Sequence, residues 1–417
     1  MIFTSLSPNT ERDDISLAAK LRFFPSARKI ASGARSRLES TFASYLGQPV
    51  YAFESGRTSL YAILASLDLP QGAEILLQAY TCVAVPEPVL WVGARPVYID
   101  IGEDLTMDPA DLEKKITPQS KVLIIQHTFG MPAKLDELIA IARRHNLFII
   151  EDCAHALGAE YKNKKVGTFG DASFFSFGRD KVISSVFGGV ASLKNPLLAE
   201  KIKKLQDSYS ESPLSWVKKQ LNHPIIFAIA KPMYDFADLG KYLIEICKRL
   251  GIFSKAVQKT ELSGGKPTFA FHKMPDILAH LALQQFAKLE RFNDHRAKLA
   301  AIYDEVLFST WAGIASRGVE KERKSIHLRY TLFVPLPKQL MQYMKERDVL
   351  LGDWYTTGIA PNNVAYEKIG YDPKSCLRSE ALALRTVNLP TNIQTSENDA
   401  RIIAKEIKEY LNGNQND

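Results

Sequence analysis

FIIEDCAHALGA, residues 148–159, and SFFSFGRDKVISSVFGG, residues 173–189, decide how this chain is read. The first is an apolar strand that ends in Glu151-Asp152 and continues through small residues. An acid at the carboxyl end of a parallel strand faces the crevice where open α/β sheets bind ligands, so Asp152 is placed for a ligand. In isolation the same acid is more simply a cap for the next helix. The second stretch decides between them: it sets Ser176 and Lys181 on the turn after another strand and closes with Gly188 and Gly189 before a further apolar strand.

Outward from these stretches, residues 47–195 alternate short apolar or β-branched runs with helical periods, the pattern of an α/β domain with a mostly parallel sheet. Strands are expected at Ile75–Leu77, Ala94–Ile99, Val122–Gln126, Leu147–Glu151, Ala172–Ser176 and Gly189–Leu193, with helices at Ser59–Leu67 and Leu135–Arg144 between them. Pro275–Leu307 reads as long helices, followed by an alternating strand at Ile326–Val334, a helix at Gln339–Arg347 and a closing helix from Ser396 to Leu411. The expected organisation is a large domain over residues 1–270 and a smaller α+β domain over 271–417, with a polar, disordered tail from Asn412 to Asp417.

Composition narrows the class. The 417 residues are 46% hydrophobic and 24% charged, an ordinary globular balance with length for two or three domains. The first fifteen residues lack a basic start with an apolar stretch, and no run of about 18 apolar residues occurs, so neither secretion nor membrane spanning is expected. Cys82, Cys153, Cys247 and Cys376 are far apart and form no CxxC pair. No metal site or disulfide framework is expected, and a reducing cytoplasm fits. The net charge is +7, of which +6 falls between Asn195 and Lys273, where 13 basic residues face 7 acidic ones. A general nucleic-acid surface is therefore a poor reading of the charge.

Lys181 follows Ser176 by five residues and Asp152 by 29. That set suits a pyridoxal 5′-phosphate site: the lysine amine bonds the cofactor's aldehyde, and an aspartate beside the pyridine nitrogen keeps it protonated so that the ring can accept electrons. The phosphate then needs hydroxyls and amides at a helix start, which Ser55-Gly56-Arg57-Thr58-Ser59 offers; alone, this pentapeptide is an ordinary N-cap.

EDCAHALGAEYKNKKVGTFGDASFFSFGRDK, residues 151–181, resembles the core signature of the DegT/DnrJ/EryC1/StrS aminotransferases, sugar aminotransferases of fold type I. The resemblance extends from about Leu46 to Leu411 through SGRTSL (55–60), YTCVAVPEPVLWVGARPVYIDI (80–101), QHTFGMPAKLDELIAIARRHN (126–146), HKMPDILAHLALQQFAKLERFNDHR (272–296), GDWYTTGIAP (352–361) and VNLPT (387–391). It implies a large mixed, mostly parallel sheet domain with a smaller C-terminal α+β domain. It makes Lys181 the Schiff-base lysine and Asp152 the partner of the pyridinium nitrogen, and places His155 on the cofactor's oxygen or carboxylate side. It assigns Gly56, Arg57, Thr58 and Ser176 to the phosphate. Tyr80–Cys82 match the loop whose aromatic packs on the cofactor ring; many members carry that aromatic after the Thr, where Cys82 stands here, so Tyr80 is the candidate. Considered alone, His155 reads as readily as a satisfied helix-start histidine.

Lysine at 181, where a dehydratase branch of the family has His, implies transamination: glutamate or glutamine gives its amino group, a nucleotide-linked keto sugar receives it, and Lys181 carries the proton in both halves. The resemblance further implies a cytoplasmic homodimer whose sites are completed by the neighbouring subunit. Another reaction on the same cofactor, a non-sugar carbonyl substrate, or a silent scaffold are the alternatives, although a scaffold needs neither Lys181 nor Asp152. Three departures from the family pattern stand out. Val186-Phe187 replaces a pair with an acid before the paired glycines, Phe271-His272-Lys273-Met274 replaces Asn-x-Arg-Met, and the basic stretch from about 196 to 272 is longer than expected. Within it Phe236, Leu239, Leu243, Ile246 and Leu250 form one helical stripe, with Lys241, Glu245, Lys248 and Arg249 on other faces. Two readings stand: peripheral contact of residues 214–253 with an anionic membrane, or a helical hairpin packed on the domain or on a partner subunit.

Overall fold

The computed structural model describes residues 1–236, 238–308, 313–314 and 319–413. Its centre is a nine-stranded sheet in the order 210–211, 272–273, 50–53, 189–193, 172–176, 148–152, 120–126, 74–78 and 95–99. The last five are mutually parallel, whereas Gly189–Leu193 runs antiparallel to both of its neighbours. All six expected strands form, with ends that differ by a residue or two: Glu74–Gln78 and Ser120–Gln126 are longer, Arg95–Ile99 is one residue shorter and Phe148–Asp152 is shifted by one. Val50–Phe53 was not anticipated; it is buried inside the sheet beside Gly189–Leu193.

The parallel strands are buried on both faces, as helical crossovers require: Leu123, Ile124, Ile149 and Ile150 are at most 1% exposed. Each such side chain contributes about 1.5–3 kcal/mol of transfer free energy on burial. From Glu74–Gln78 the chain steps outward to Arg95–Ile99, then returns across to Ser120–Gln126 and onward in the opposite direction. This reversal is where open α/β sheets bind ligands, outside the carboxyl ends of the strands. Register brings Gln126 and Phe174 to either side of Asp152 on that edge.

A separate apolar cluster joins helices Leu289–Leu307 and Glu397–Gly413 to the antiparallel pair Tyr330–Phe333 and Thr386–Leu389, through Leu299, Tyr303, Leu332, Val387, Ile403 and Ile407. The expected strand Ile326–Val334 shortens to Tyr330–Phe333, because the Ile326 and Leu328 amides donate instead to Gly130 and Phe129. Asn412 and Gly413, read from sequence as part of the tail, complete the closing helix, and residues 414–417 lie outside the described residues.

The basic stretch folds as helices Pro196–Ser208, Leu214–Ala230 and Leu239–Arg249. The face of the last helix that packs inward is Gly240, Ile244 and Cys247, against Phe227, Ala230, Tyr234 and Phe253. Of the expected apolar stripe, Phe236, Leu239, Ile246 and Leu250 are 49–70% exposed on another face, whereas Leu243 is partly buried against the same inward cluster. Among the described residues no helix is long and apolar enough to cross a membrane, and all four cysteines are free.

Candidate active site

A cavity of about 490 Å³ opens at the carboxyl edge of the sheet, lined by Asp152, His155, Ser176, Lys181, Gly56 and Arg57 among others. Asp152 ends its strand 3% exposed; one carboxylate oxygen accepts the Ala154 N–H at 2.9 Å, and the other accepts no hydrogen bond among the described residues. Burial raises its pKa, while the Ala154 amide and the Lys181 charge oppose the shift. A free carboxylate oxygen at a cavity wall fits the protonated nitrogen of a pyridine ring.

The neighbouring Glu151 points the other way and is fully used. It accepts from the amides of Gly167, Phe169 and Gly170 and pairs with His127 Nε2 at 3.1 Å, while His127 Nδ1 accepts from the Ala133 amide. Burial alone would raise the Glu151 pKa, but His127 and these amides outweigh it and hold it below the usual carboxylate value. With the side-chain polar atoms of Glu151 and His127 all engaged, the two form a structural knot beside buried Cys153.

Lys181 Nζ lies 2.8 Å from His155 Nε2 and 5.6 Å from the centroid of the Trp354 ring. Desolvation lowers its pKa, with Cys82, Asp152 and Asp180 acting in the opposite direction. His155 is buried and stacks on Phe129 at 5.5 Å and on Trp354 at 5.9 Å. Burial first, then the charges of Lys181 and Arg329, push its pKa well below the ordinary value, so the ring is neutral at pH 7. The Phe129 N–H stands 3.5 Å from Nδ1, which places the imidazole proton on Nε2, facing the amine. This arrangement suits an unprotonated lysine, the form able to act as a nucleophile.

The opposite end of the cavity has an anion-binding character. Gly56 and Arg57 begin the helix Gly56–Ser66, so their amides have no acceptor within it. Ser176 sits beside them: a Cβ on Gly56 would stand 2.8 Å from Ser176 Cβ, and one on Gly189 would stand 2.5 Å from the Gly56 nitrogen. Only glycines let these three segments approach so closely. Arg57 pairs with the buried Glu261 and donates to the Ala256 carbonyl at 2.9 Å. Arg179, not singled out from the sequence, donates to the carbonyl and hydroxyl of Ser254 and lies over the Phe187 ring; burial lowers its pKa to about 10.

Two expected site residues are not brought to the cavity. Thr58 is fully buried, and its hydroxyl donates to Glu54. Its amide is taken by the Ser55 hydroxyl, the ordinary cap seen in the sequence, leaving nothing for a phosphate. Tyr80 is also fully buried: its hydroxyl donates to Thr386 Oγ1 at 3.0 Å and accepts from the Tyr355 amide. It supports the cavity from behind, and besides Phe174 and Phe187 the aromatic residues of the wall are Trp354 and Tyr355. These belong to GDWYTTGIAP, quoted as part of the resemblance but given no role. The sequence departures are aromatic nests: Phe187 packs on Trp216 and Phe269, and Phe271 on Tyr61 and Trp91.

The N-terminal segment crosses behind the site. Ile2–Phe3 pairs with Val349–Leu350, the Thr4 carbonyl accepts from Arg329, and the Asn9 amide group donates to the Lys181 carbonyl at 2.6 Å and to that of Val182 at 3.3 Å.

Known proteins resemble this chain over most of its length. An uncharacterized protein of Methanocaldococcus jannaschii is 27% identical over 386 residues, covering 91% of this chain and 90% of its own. The spore coat polysaccharide biosynthesis protein SpsC of Bacillus subtilis is 24% identical over 386 residues, covering 90% and 89%. The GDP-perosamine synthase of Caulobacter vibrioides is 36% identical over 170 residues, 40% of this chain and 46% of that one. Among solved structures, the aminotransferase TlmJ from Streptoalloteichus hindustanus superposes with a TM-score of 0.74 at 20% identity over 100% of both chains. The PLP form of a putative sugar aminotransferase from Streptococcus pneumoniae does so at 0.73 and 21%, over 96% of each. The DegT/DnrJ/EryC1/StrS aminotransferase family model matches residues 20–223 and 241–408. The chain belongs to this family of pyridoxal-phosphate-dependent aminotransferases.

Proposed function

We propose that the protein moves an amino group from glutamate or glutamine to a nucleotide-linked keto sugar, in the synthesis of an amino sugar for a surface glycan or secondary metabolite. The observation that carries this reading is the placement of Lys181 and Asp152 in one cavity, the amine held against neutral His155 and the carboxylate with a free oxygen. Relatives named for spore coat polysaccharide and for GDP-perosamine support the sugar assignment.

Pyridoxal phosphate, when bound, supplies an electron sink and a temporary carrier for nitrogen. Asp152 would hold the proton on the ring nitrogen. The Gly56 and Arg57 amides with the Ser176 hydroxyl would hold the phosphate, and Trp354 and His155 line the same cavity. Lys181 would take and return the proton on the substrate's carbon, and its lowered pKa suits that work near neutrality. His155, unable to ionise at this pH, orients the amine through its Nε2–H.

We extend the proposal to a cytoplasmic homodimer and to two domains per chain. The separate apolar cluster of residues 299–411 supports the smaller domain, while Met274, Leu278 and Ala282 pack with the large one. The deciding experiment records the visible absorption of the purified protein with added cofactor, then adds L-glutamate or L-glutamine. A visible band that moves to the near ultraviolet with donor, and is lost in Lys181→Ala, is expected. A protein that takes up no cofactor would overturn the reading; a band indifferent to both donors would overturn the donor assignment.

A further inference from the structure

We propose that the exposed stripe of helix Leu239–Arg249 docks this protein on an anionic lipid surface. The inference does not rest on the choice of substrate.

The helix has three faces. Gly240, Ile244 and Cys247 are buried and hold it to the body of the protein. Lys241, Glu245, Lys248 and Arg249 form a charged face, all exposed. Between them run Leu239, Tyr242, Ile246 and Leu250, continued by Phe236 before the helix starts, and these five are 49–70% exposed. Such a helix, anchored on one side, apolar on a second and basic on a third, can lie in a bilayer interface with its apolar stripe below the headgroups and its cations among them.

Charge selects the occupant. Glu245 is spent on Arg249 at 3.1 Å and Asp238 on Lys345 at 3.7 Å. Lys241 and Lys248 have no ion-pair partner among the described residues, and the stretch from Asn195 to Lys273 carries the +6 surplus. A second copy meeting this face about a two-fold axis would bring the same cations together, whereas an anionic lipid surface attracts them. Five side chains on and beside one 11-residue helix are also far fewer than the roughly 20–30 residues a stable protein interface uses on each side.

Two further observations converge on the same place. Arg22 Nε donates to Asn222, whose side-chain amide donates to the Ile252 carbonyl. This chain of bonds ties the end of helix Arg12–Phe23, with Phe23 59% and Phe24 60% exposed, to the turn just past Leu250. The family model also leaves residues 224–240 unmatched, and the stripe begins within them, at Phe236 and Leu239.

The test is flotation of the intact protein with vesicles of equal parts phosphatidylglycerol and phosphatidylcholine, and with phosphatidylcholine alone. Binding to the anionic vesicles is expected to be about tenfold or more stronger and to fall with salt. The triple variant Leu239→Ser, Ile246→Ser, Leu250→Ser and the double variant Lys241→Glu, Lys248→Glu should each weaken it about tenfold. Both should leave thermal melting and the response to amino donor unchanged, since every altered side chain is on the surface. If the triple variant fails to fold, the charge reversal decides alone. No recovery with anionic vesicles, or binding that survives the charge reversal, overturns the proposal. So does a triple variant that falls from dimer to monomer by sedimentation, which would assign the face to a second copy.

Discussion

The cavity wall that carries Asp152, Ser176 and Lys181 and the wall that carries Ala256 and Val257 are held in different ways. The first stands on strand ends locked by parallel ladders and by approaches at Gly56 and Gly189 that admit no Cβ. The second is a loop from the basic stretch, held by partly buried Val257 and Leu262 and by polar ties: Arg57 to Glu261 and to the Ala256 carbonyl, Arg179 to Ser254, and the Trp91 indole to the Gly264 carbonyl at 3.1 Å. A ladder opens only with the sheet, whereas a loop on polar ties opens locally. On the proposed function the chemistry would sit on the rigid wall, and adaptation to a particular substrate would have room on the other.

The largest separation between the walls should appear with Asp152→Asn. Losing the carboxylate at the ring nitrogen is expected to slow the donor reaction by about a hundredfold or more, the scale of one preorganised electrostatic contact, with unchanged melting. Stopped-flow absorbance reads it, and a loss under tenfold would remove Asp152 from its role. Next, Gly189→Ala forces a methyl against the Gly56 backbone and should cost about 1–3 kcal/mol in denaturant unfolding together with cofactor affinity. Equal stability would show that the rigid wall yields more than its packing implies.

The rigid wall also has a pH signature. Glu54, buried and bonded to Thr58, has its pKa pushed up from 4.5 to about 7, chiefly by desolvation. A carboxyl raised on folding favours the native state while protonated, so its stabilisation is full below about pH 4.5 and is lost as pH rises through 7. Melting curves of Glu54→Gln should lack that part of the decline. Smallest is the effect of Glu261→Gln on the loop wall: faster proteolysis within residues 254–265 that added cofactor slows, at nearly constant melting temperature. A large drop in melting temperature would make the loop part of the rigid wall after all.

How much of this was legible in the sequence follows the same division. Alternation and strand-end chemistry exposed the parallel strands, Asp152, Ser176 and Lys181, because their positions depend on neighbours close along the chain. Val50–Phe53 escaped because its partners, Gly189–Leu193 and Lys273, are more than a hundred residues away. Thr58 and Tyr80 have the residue types of ligands, but local geometry gave their hydroxyls to Glu54 and Thr386 first. Trp354 reaches the cavity only through folding of a distant segment, although a motif was in view; Arg179 is two residues from Lys181, and that nearness was the one signal available. The apolar stripe was legible as a stripe, but periodicity alone does not say which face of a helix turns inward.

The N-terminal strap has a practical consequence. Asn9 holds the peptide carbonyls of the catalytic loop, while Ile2 and Phe3 are sewn to a strand about 350 residues later. A protease that nicks this strap removes no group that touches substrate, yet it cuts the stay that fixes where the lysine stands. Trimmed enzyme would keep its cofactor and lose turnover, a form of ageing that a purity gel records as a faint shift and an assay records as decay.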